Sequence, residues 1–162
     1  APALADRNWS HKDWNAWQRG ARCGIWTGGD GAGSLEISFE RGGYRAVADY
    51  APLWYRSEPM PLEMSDFIVI YFDGLESWIG EDISVFDGED KWGDYFRAAF
   101  MPDGTVPAFI DMLRQADTLD FARQRGNEEP LIIDQFSLAG FTVALMKTAE
   151  WCKFNPKLMP SS

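Results

Sequence analysis

Histidine and cysteine are almost absent from this chain, which has one histidine and two cysteines. A nucleophilic triad needs a base such as histidine. The only one, His11, stands in a polar segment, and no Gly-x-Ser-x-Gly elbow occurs anywhere in the chain. A zinc site needs closely spaced Cys and His ligands, which one histidine and two distant cysteines do not supply. The sequence therefore predicts no triad hydrolase, no zinc centre and no bound cofactor.

Positive charge is also scarce, since 15 Lys and Arg residues stand against 25 Asp and Glu residues and the formal net charge is −10. The densest basic spots, at 19–22 and 123–125, are too small to hold a phosphate backbone against that charge. No apolar run approaches the ~20 residues that span a bilayer, and FIVIYF at 67–72 has the length of a strand. We therefore expect no nucleic-acid partner, no anionic membrane partner and no membrane span.

The glycine-rich stretch CGIWTGGDGAGSLEIS at 23–38 lacks the context of a phosphate-binding loop. Such a loop leads from a strand into a helix, whose N-terminal amides complete the anion site. Here the glycines lead into SLEISF at 34–39, in which apolar and polar residues alternate as in a half-buried strand. The sequence predicts that these glycines form a hairpin loop.

Turn signals and alternating runs dominate the first two thirds of the chain. Gly42-Gly43 predicts a hairpin with a two-residue turn, because glycine adopts positive φ at both central positions. The last third has helical spacing in VPAFIDMLRQA and SLAGFTVALMKTAEWC, with Thr105 and Ser137 as the expected N-caps. We expect a β-rich α+β fold, an antiparallel β-sandwich or partly open barrel with two helices in the C-terminal third.

The chain divides into three expected parts, which are a Trp-rich N-terminal arm at 1–20, a single β-rich domain at 21–154 and a flexible tail at 155–162. Its first residues, APALAD, resemble what remains beside a signal-peptidase cut, so we expect a periplasmic or secreted protein whose signal peptide has been removed. In an exported protein, the pair Cys23 and Cys152 predicts one disulfide. Two buried free thiols in a cytosolic protein are the alternative.

Carboxylates are in surplus between residues 73 and 94, where they are interleaved with tryptophan. Solvated turns between edge strands are the first interpretation, since Asp-Gly is typical of hairpins. A weak calcium site at Asp87, Glu89 and Asp90 is the second, although the order of ligands in an EF-hand is absent. A glycosidase carboxylate pair is the third.

Tryptophan beside acids can also stack on sugar rings or anchor a protein interface. The residues expected to form such a ligand or partner surface are Trp9, Trp14, Trp78, Asp87, Glu89, Asp90, Trp92 and Asp94.

Three stretches of the chain resemble the invasion-associated locus B family of small exported alphaproteobacterial proteins. They are CGIWTGGDGAGSLEIS, the segment from Phe109–Leu113 to Thr118-Leu119, and FSLAGFTVALMKTAEWC, in which Ser137, Leu138, Gly140, Phe141 and Ala144 match the family's C-terminal run. The resemblance implies a periplasmic, β-rich domain with a terminal helix and a disulfide. It implies no catalytic residues.

These observations predict a non-enzymatic periplasmic protein that binds another macromolecule, such as an accessory subunit of an envelope or membrane complex. A carbohydrate- or peptidoglycan-binding module is one alternative, because aromatic residues and acids occur together. An inhibitor of a hydrolase such as lysozyme is another, since an acidic surface attracts a basic enzyme.

Overall fold

The computed structural model describes residues 6–29, 31–42, 45–55, 57–79, 83–89, 91–93, 95–101 and 104–157. Within these residues the chain forms eleven strands and two helices. In chain order they are β1 Arg7–His11, β2 Trp14–Arg19, β3 Arg22–Gly28, β4 Ser34–Glu40, β5 Val47–Ala51, β6 Phe67–Phe72, β7 Leu75–Ile79, β8 Ser84–Glu89, β9 Tyr95–Met101, α1 Val106–Gln115, β10 Thr118–Gln124, β11 Leu131–Ser137 and α2 Phe141–Cys152.

The strands form two antiparallel sheets. The larger sheet has the order β1-β2-β3-β4-β5-β9-β8, and the smaller sheet has the order β11-β10-β6-β7. Neither sheet closes into a barrel in the described part of the chain, so the expected β-sandwich with two helices in the C-terminal third is confirmed. Strand β6, which is apolar on both faces, has a hydrogen-bonded neighbour on each side, as a central strand should.

The core lies between the two sheets and is completed by the helices. Alternate residues of β2 to β5 point inward and are buried, while α1 contributes Val106, Phe109, Ile110 and Leu113 from one face. Helix α2 packs on the inner side of β2 and β3, where Phe141 meets Trp14 edge-on with ring centroids 5.0 Å apart. The opposite face of these strands is therefore left outside the core.

The two cysteines are joined, which confirms the expected disulfide. Cys23 on the inner face of β3 is bonded to Cys152, the last residue of α2, across a sequence separation of 129 residues. Because both residues are buried, the bond fastens the C-terminal helix to the larger sheet from inside.

The N-terminal segment is part of the larger sheet, so describing 1–20 as a separate arm is wrong for its described residues. Strands β1 and β2 pair with each other, and β2 pairs with β3. Since side chains alternate along a strand, Trp14 and Trp17 point to opposite faces of β2.

Two local predictions differ from the structure. Strand β4 pairs with β5 as expected, but Ser38 is the last residue paired, with Val47, so the connection is longer than a two-residue turn; Gly43 lies outside the described residues. Helix α2 begins after Gly140, which has a φ of 93°, and not at Ser137, which ends β11. The loop between β3 and β4 is a hairpin connection, as predicted.

Candidate binding face on the larger sheet

Four residues form a lateral row across the outer face of the larger sheet. Trp26 on β3 lies opposite Glu36 on β4, Glu36 lies opposite Asp49 on β5, and Asp49 lies opposite Phe100 on β9. Directly opposed residues of antiparallel strands project to the same side, with Cβ atoms about 4.5–5.5 Å apart. We call these four residues the carboxylate row. Its two central residues are acids, and an aromatic residue stands at each end.

The alternation of each strand turns the carboxylate row outward. The sequence neighbours Ile25, Leu35, Ile37, Ala48 and Tyr50 are buried in the core, so the residues between them face away from it. The side chains of the row are partly exposed. Among the described elements, α2 contacts this part of the sheet on the inner face, so no described helix covers the row.

Trp17 lies beside the row on the same face and is held in one position. Its indole occupies the space that a Cβ atom on Gly24, its cross-strand neighbour, would need. Its Nε1 donates a hydrogen bond to Glu36 Oε2 at 3.2 Å. Glycine and carboxylate together therefore fix the ring against the sheet, and the glycine is required by this close approach.

A phenylalanine cluster lies at the other end of the row. The rings of Phe86 and Phe100 are 6.1 Å apart and those of Phe86 and Phe96 are 5.9 Å apart, both nearly perpendicular. Phe96 lies over Gly88, as Trp17 lies over Gly24, with Cζ 2.6 Å from where a glycine Cβ would stand. Aromatic rings thus flank the acids on both sides.

The two carboxyl groups of the row are partly removed from water. Burial raises the pKa of Glu36 above its ordinary value of 4.5; the Trp17 hydrogen bond lowers it, the Asp49 charge raises it, and Arg22 lowers it. Burial also raises the pKa of Asp49 above 3.8. Neither carboxylate forms a salt bridge with a residue in the described part of the chain.

The geometry of the pair differs from that of a glycosidase. Glycosidase carboxyl groups flank the scissile bond from two sides. Glu36 and Asp49 stand side by side on one sheet and project in the same direction. Such an arrangement can accept hydrogen bonds from one ligand group, but it does not enclose a sugar ring.

Cavities lie at both ends of the face. Beside Trp26 an open polar cleft of about 510 Å³ is lined by Asn15, Gly29, Gln135 and Ser137, among others. Beside the phenylalanine cluster, a pocket of about 120 Å³ is lined by residues that include Pro52, Trp54, Met60, Phe96 and Arg97. The face is therefore not flat, and its ends can take up parts of a partner.

Trp14 does not belong to the surface that the sequence predicted. Its side chain is 0% exposed, and its Nε1 donates to the Ser137 carbonyl at 3.0 Å, so it is a core residue. Trp9 is partly exposed and stacks on His11, with the Lys147 ammonium 5.3 Å from its ring centroid. It lies on β1, at the opposite edge of the sheet from β8.

Two described acids of the 73–94 stretch, Asp87 and Asp73, lie on different sheets. Asp87 binds Arg97, with Nε 2.6 Å from Oδ1, and Arg97 also donates to the Leu62 carbonyl. Asp73 instead accepts from the Thr118 and Asp117 amides at 2.9 and 2.8 Å beside the smaller sheet.

Trp92 is 75% exposed beside Lys91, and Glu89 is also exposed. Asp90, Asp94 and the Trp78 side chain lie outside the described residues. No group of three or more metal-ligating side chains occurs among the residues that the structure describes. The calcium site proposed at Asp87, Glu89 and Asp90 gains no support from the Asp87 geometry, since Arg97 already binds that carboxylate.

Sequence reasoning missed the carboxylate row, although part of its signal was visible. The alternation in SLEISF places Glu36 on the polar face of its strand. The pairing of Glu36 with Asp49 depends on the register across 41–46, where the predicted turn was too short. Trp17 was missed because its segment was not recognised as a strand.

Comparison with models of protein families and with curated protein sequences finds no match to this chain. The resemblance to the invasion-associated locus B family therefore stays a prediction. None of the helices in the described residues has the length and hydrophobicity needed to cross a membrane. Fold and face together define a disulfide-bonded β-sandwich with an aromatic and acidic sheet face.

Proposed function

We propose that this chain is a non-enzymatic binding domain that works in an oxidising compartment outside the cytoplasm, the periplasm being the expected one. It holds a partner protein on the outer face of its larger sheet. The observation that carries this proposal is the carboxylate row, in which two acids stand between aromatic residues on a face that no described helix covers. An accessory subunit of an envelope complex is the expected setting.

The rigidity of the face supports a role in recognition. Aromatic side chains are enriched in the central, energetically dominant parts of protein interfaces. Trp17 is already fixed by Gly24 and Glu36, so less conformational freedom is lost when a partner binds. The face is thus prepared for contact before the partner arrives.

The disulfide supports the proposed location in an oxidising compartment. Disulfides persist in oxidising environments such as the periplasm and are rare where thiols are kept reduced. The bond between Cys23 and Cys152 closes nearly the whole domain. The resemblance to exported alphaproteobacterial proteins points to the same compartment.

Affinity capture from envelope extract with two variants tests the proposal. We expect wild-type protein and Leu131→Ala, which removes an exposed apolar side chain from the smaller sheet, to recover the same partner protein in stoichiometric amount. Trp26→Ala should reduce that recovery at least about tenfold, as loss of an interface anchor does. Circular dichroism checks that both variants fold. The absence of any protein whose recovery depends on Trp26 contradicts the proposal.

Carbohydrate binding is a second candidate, favoured by the position of Trp17. A ring fixed against the sheet beside a carboxylate can stack on one face of a sugar while the acid accepts from hydroxyl groups. Glycan-array and peptidoglycan-sedimentation assays of wild-type protein, Trp17→Ala and Trp26→Ala test it. Binding that both substitutions abolish supports this function, and no binding by wild-type protein rejects it.

A further inference from the structure

We infer that Glu36 and Asp49 receive a single basic side chain of the partner protein, an arginine above all. This inference rests on the proposed function, because it assigns the chemistry of the partner to the same face. It requires a positively charged group on the partner, which binding through aromatic contacts alone does not require.

The geometry of the pair suits a guanidinium group. Glu36 and Asp49 project from directly opposed positions on the same face of neighbouring strands, and a planar guanidinium offers five N–H donors in a fixed fork. Trp26 and Phe100 stand at the ends of the pair, where an aromatic face attracts a cation. Lysine offers the same charge with fewer fixed donors, so we expect arginine to bind more tightly.

Other acids of this chain show what the pair lacks. Asp66 is bound by Arg125 with Nε 2.9 Å from Oδ1, and Asp87 is bound by Arg97. Glu36 and Asp49 form no salt bridge with a described residue, although they stand directly opposite each other. Like charges in that position destabilise a sheet, and a cation placed between them removes the repulsion.

The electrostatics favour the same ligand. Burial raises the pKa of both carboxyl groups, and the Trp17 hydrogen bond and the Arg22 charge, which lower the pKa of Glu36, do not offset that rise. The net charge of −10 attracts a basic partner at long range and speeds the encounter. A neutral sugar would leave the repulsion in place, and calcium requires 6–8 oxygen ligands where the row offers two carboxylates.

Titration with short peptides tests the inference directly. The probes are capped Gly-Gly-X-Gly-Gly peptides in which X is arginine, lysine or citrulline, the neutral isostere of arginine. Binding is followed by the indole N–H resonances of Trp17 and Trp26 in ¹⁵N-correlation spectra. We expect the arginine peptide to shift both resonances, with an affinity at least about tenfold above that of the citrulline peptide. Its binding should weaken as ionic strength rises.

A matched pair of double variants completes the test. Glu36→Gln/Asp49→Asn should lower the affinity for the arginine peptide at least about tenfold. Asp111→Asn/Glu129→Gln removes the same two charges from exposed sites and should change the affinity less than about twofold. Equal binding of arginine and citrulline peptides, or no shift with any peptide, overturns the inference.

The partner capture separates this inference from the proposed function. Recovery that depends on Trp26 but is unchanged in Glu36→Gln/Asp49→Asn leaves a protein-binding face and rejects the basic side chain as its ligand. Recovery lost in both variants and kept in Asp111→Asn/Glu129→Gln supports both. If no recovery depends on Trp26, the proposed function fails, whatever the peptides show.

Discussion

Glu36 on β4 lies directly opposite Asp49 on β5, on the outer face of the larger sheet. Two like charges in register are unusual in a sheet, where opposed pairs of opposite sign stabilise. Neither residue packs the core, which lies on the other face. The pair therefore lowers the stability of the free protein, which a partner of opposite charge would restore on binding.

Neutralising the pair is expected to stabilise the free protein at neutral pH. Because the pKa of both groups is raised in the folded state, they bind more protons in the folded protein than in the unfolded chain above about pH 4, and their contribution to stability falls as the pH rises. Glu36→Gln/Asp49→Asn should therefore be more stable than wild type at pH 7 by roughly 0.2–1 kcal/mol. The difference should shrink below pH 4. Urea unfolding of both proteins across this range measures the difference, and a difference that is the same at pH 4 and pH 7, or a variant that is less stable than wild type at pH 7, would contradict the prediction.

Gly24→Ala should displace the Trp17 ring on the outer face without requiring a different backbone conformation at residue 24. An added Cβ overlaps the Trp17 indole, so the ring must move away from Glu36 or the strands must separate, at a cost of about 1–3 kcal/mol. Gly104→Ala is the matched control, because nothing lies within 4 Å of a Cβ built there. Thermal unfolding and the Trp17 indole N–H resonance report the two effects. Equal stability of both variants would show that Trp17 does not lie over Gly24.

Tyr50→Phe tests a contact between the two sheets. The Tyr50 hydroxyl on β5 donates to Asp134 on β11, and the Gly33 amide donates to the same carboxylate at 3.0 Å. Removing the hydroxyl takes a donor from that carboxylate, so we expect a loss of about 1–3 kcal/mol. Tyr55→Phe, at an exposed position, should change stability by less than about 0.5 kcal/mol.

The titration of Tyr50 provides a second readout. Burial, the hydrogen bond to Asp134 and its charge raise the pKa of Tyr50 above 10.0. Because the folded-state pKa is the higher one, the stability that the Tyr50 hydroxyl contributes is fully present below pH 10 and is lost as the pH rises towards the folded-state pKa. Folded Tyr50→Phe should therefore show the same tyrosinate absorbance as wild type at pH 11.

Asp66 and Glu63 bind the same arginine and should differ in their effect on stability. The Asp66 side chain is 0% exposed and the Glu63 side chain is 53% exposed. Asp66→Asn should cost about 1.5–3 kcal/mol, because charged hydrogen bonds to Arg125 are lost in a buried place. Glu63→Gln should cost less than about 1 kcal/mol. Similar losses in the two variants would contradict the larger contribution assigned to the buried Asp66.

The loss of folding stability at low pH should depend on Asp66. Its burial raises its pKa, but hydrogen bonds from Arg125 and the Glu63 amide and the charges of Arg125 and Arg123 together lower it below 3.8. This stabilisation is present above pH 3.8 and is lost as the pH falls through the lower, folded-state pKa. Asp66→Asn should accordingly flatten the loss of stability between pH 5 and pH 2 in urea unfolding. An unchanged slope would contradict it.

Breaking the disulfide should weaken the domain strongly. Cross-linking residues 129 positions apart restricts the unfolded chain, and the chain-entropy model gives about 4–5 kcal/mol for a loop of that length. Cys23→Ala/Cys152→Ala should lower the denaturation midpoint as much as adding a reductant to wild type does. Thiol titration of the unfolded, unreduced wild type should find no free sulfhydryl, and two reactive thiols would refute the bond.

Local patterns predicted the elements whose neighbours lie close in sequence. The spacing of Phe109, Ile110 and Leu113 identified the buried face of α1, and the alternation in β4 identified its inner and outer faces. The same spacing placed Cys152 on the inward face of α2. Each of these features follows from a period of 3.6 or 2 within one segment.

The predictions that were wrong share a cause: each concerns residues whose structure depends on partners far away in the sequence. Residues 7–19 are short of strand signals, and β2 is stabilised by pairing with β3 and by packing against α2, which is more than 100 residues away in sequence. Trp14 was placed on the expected ligand or partner surface. Its burial follows from the position of Phe141, which no local pattern reveals.

The sequence by itself determined the class of this protein: its charge and its periodic runs specify an acidic, β-rich fold with two late helices, and its two cysteines predict a disulfide in an exported protein. Only the tertiary structure decided where recognition chemistry lies. It separated two described acids of 73–94 between the two sheets and brought Glu36 and Asp49 together beside Trp17 and Trp26. The physical reason is that side-chain direction is local, whereas cross-strand register is set by the pairing of segments that meet only in the folded chain.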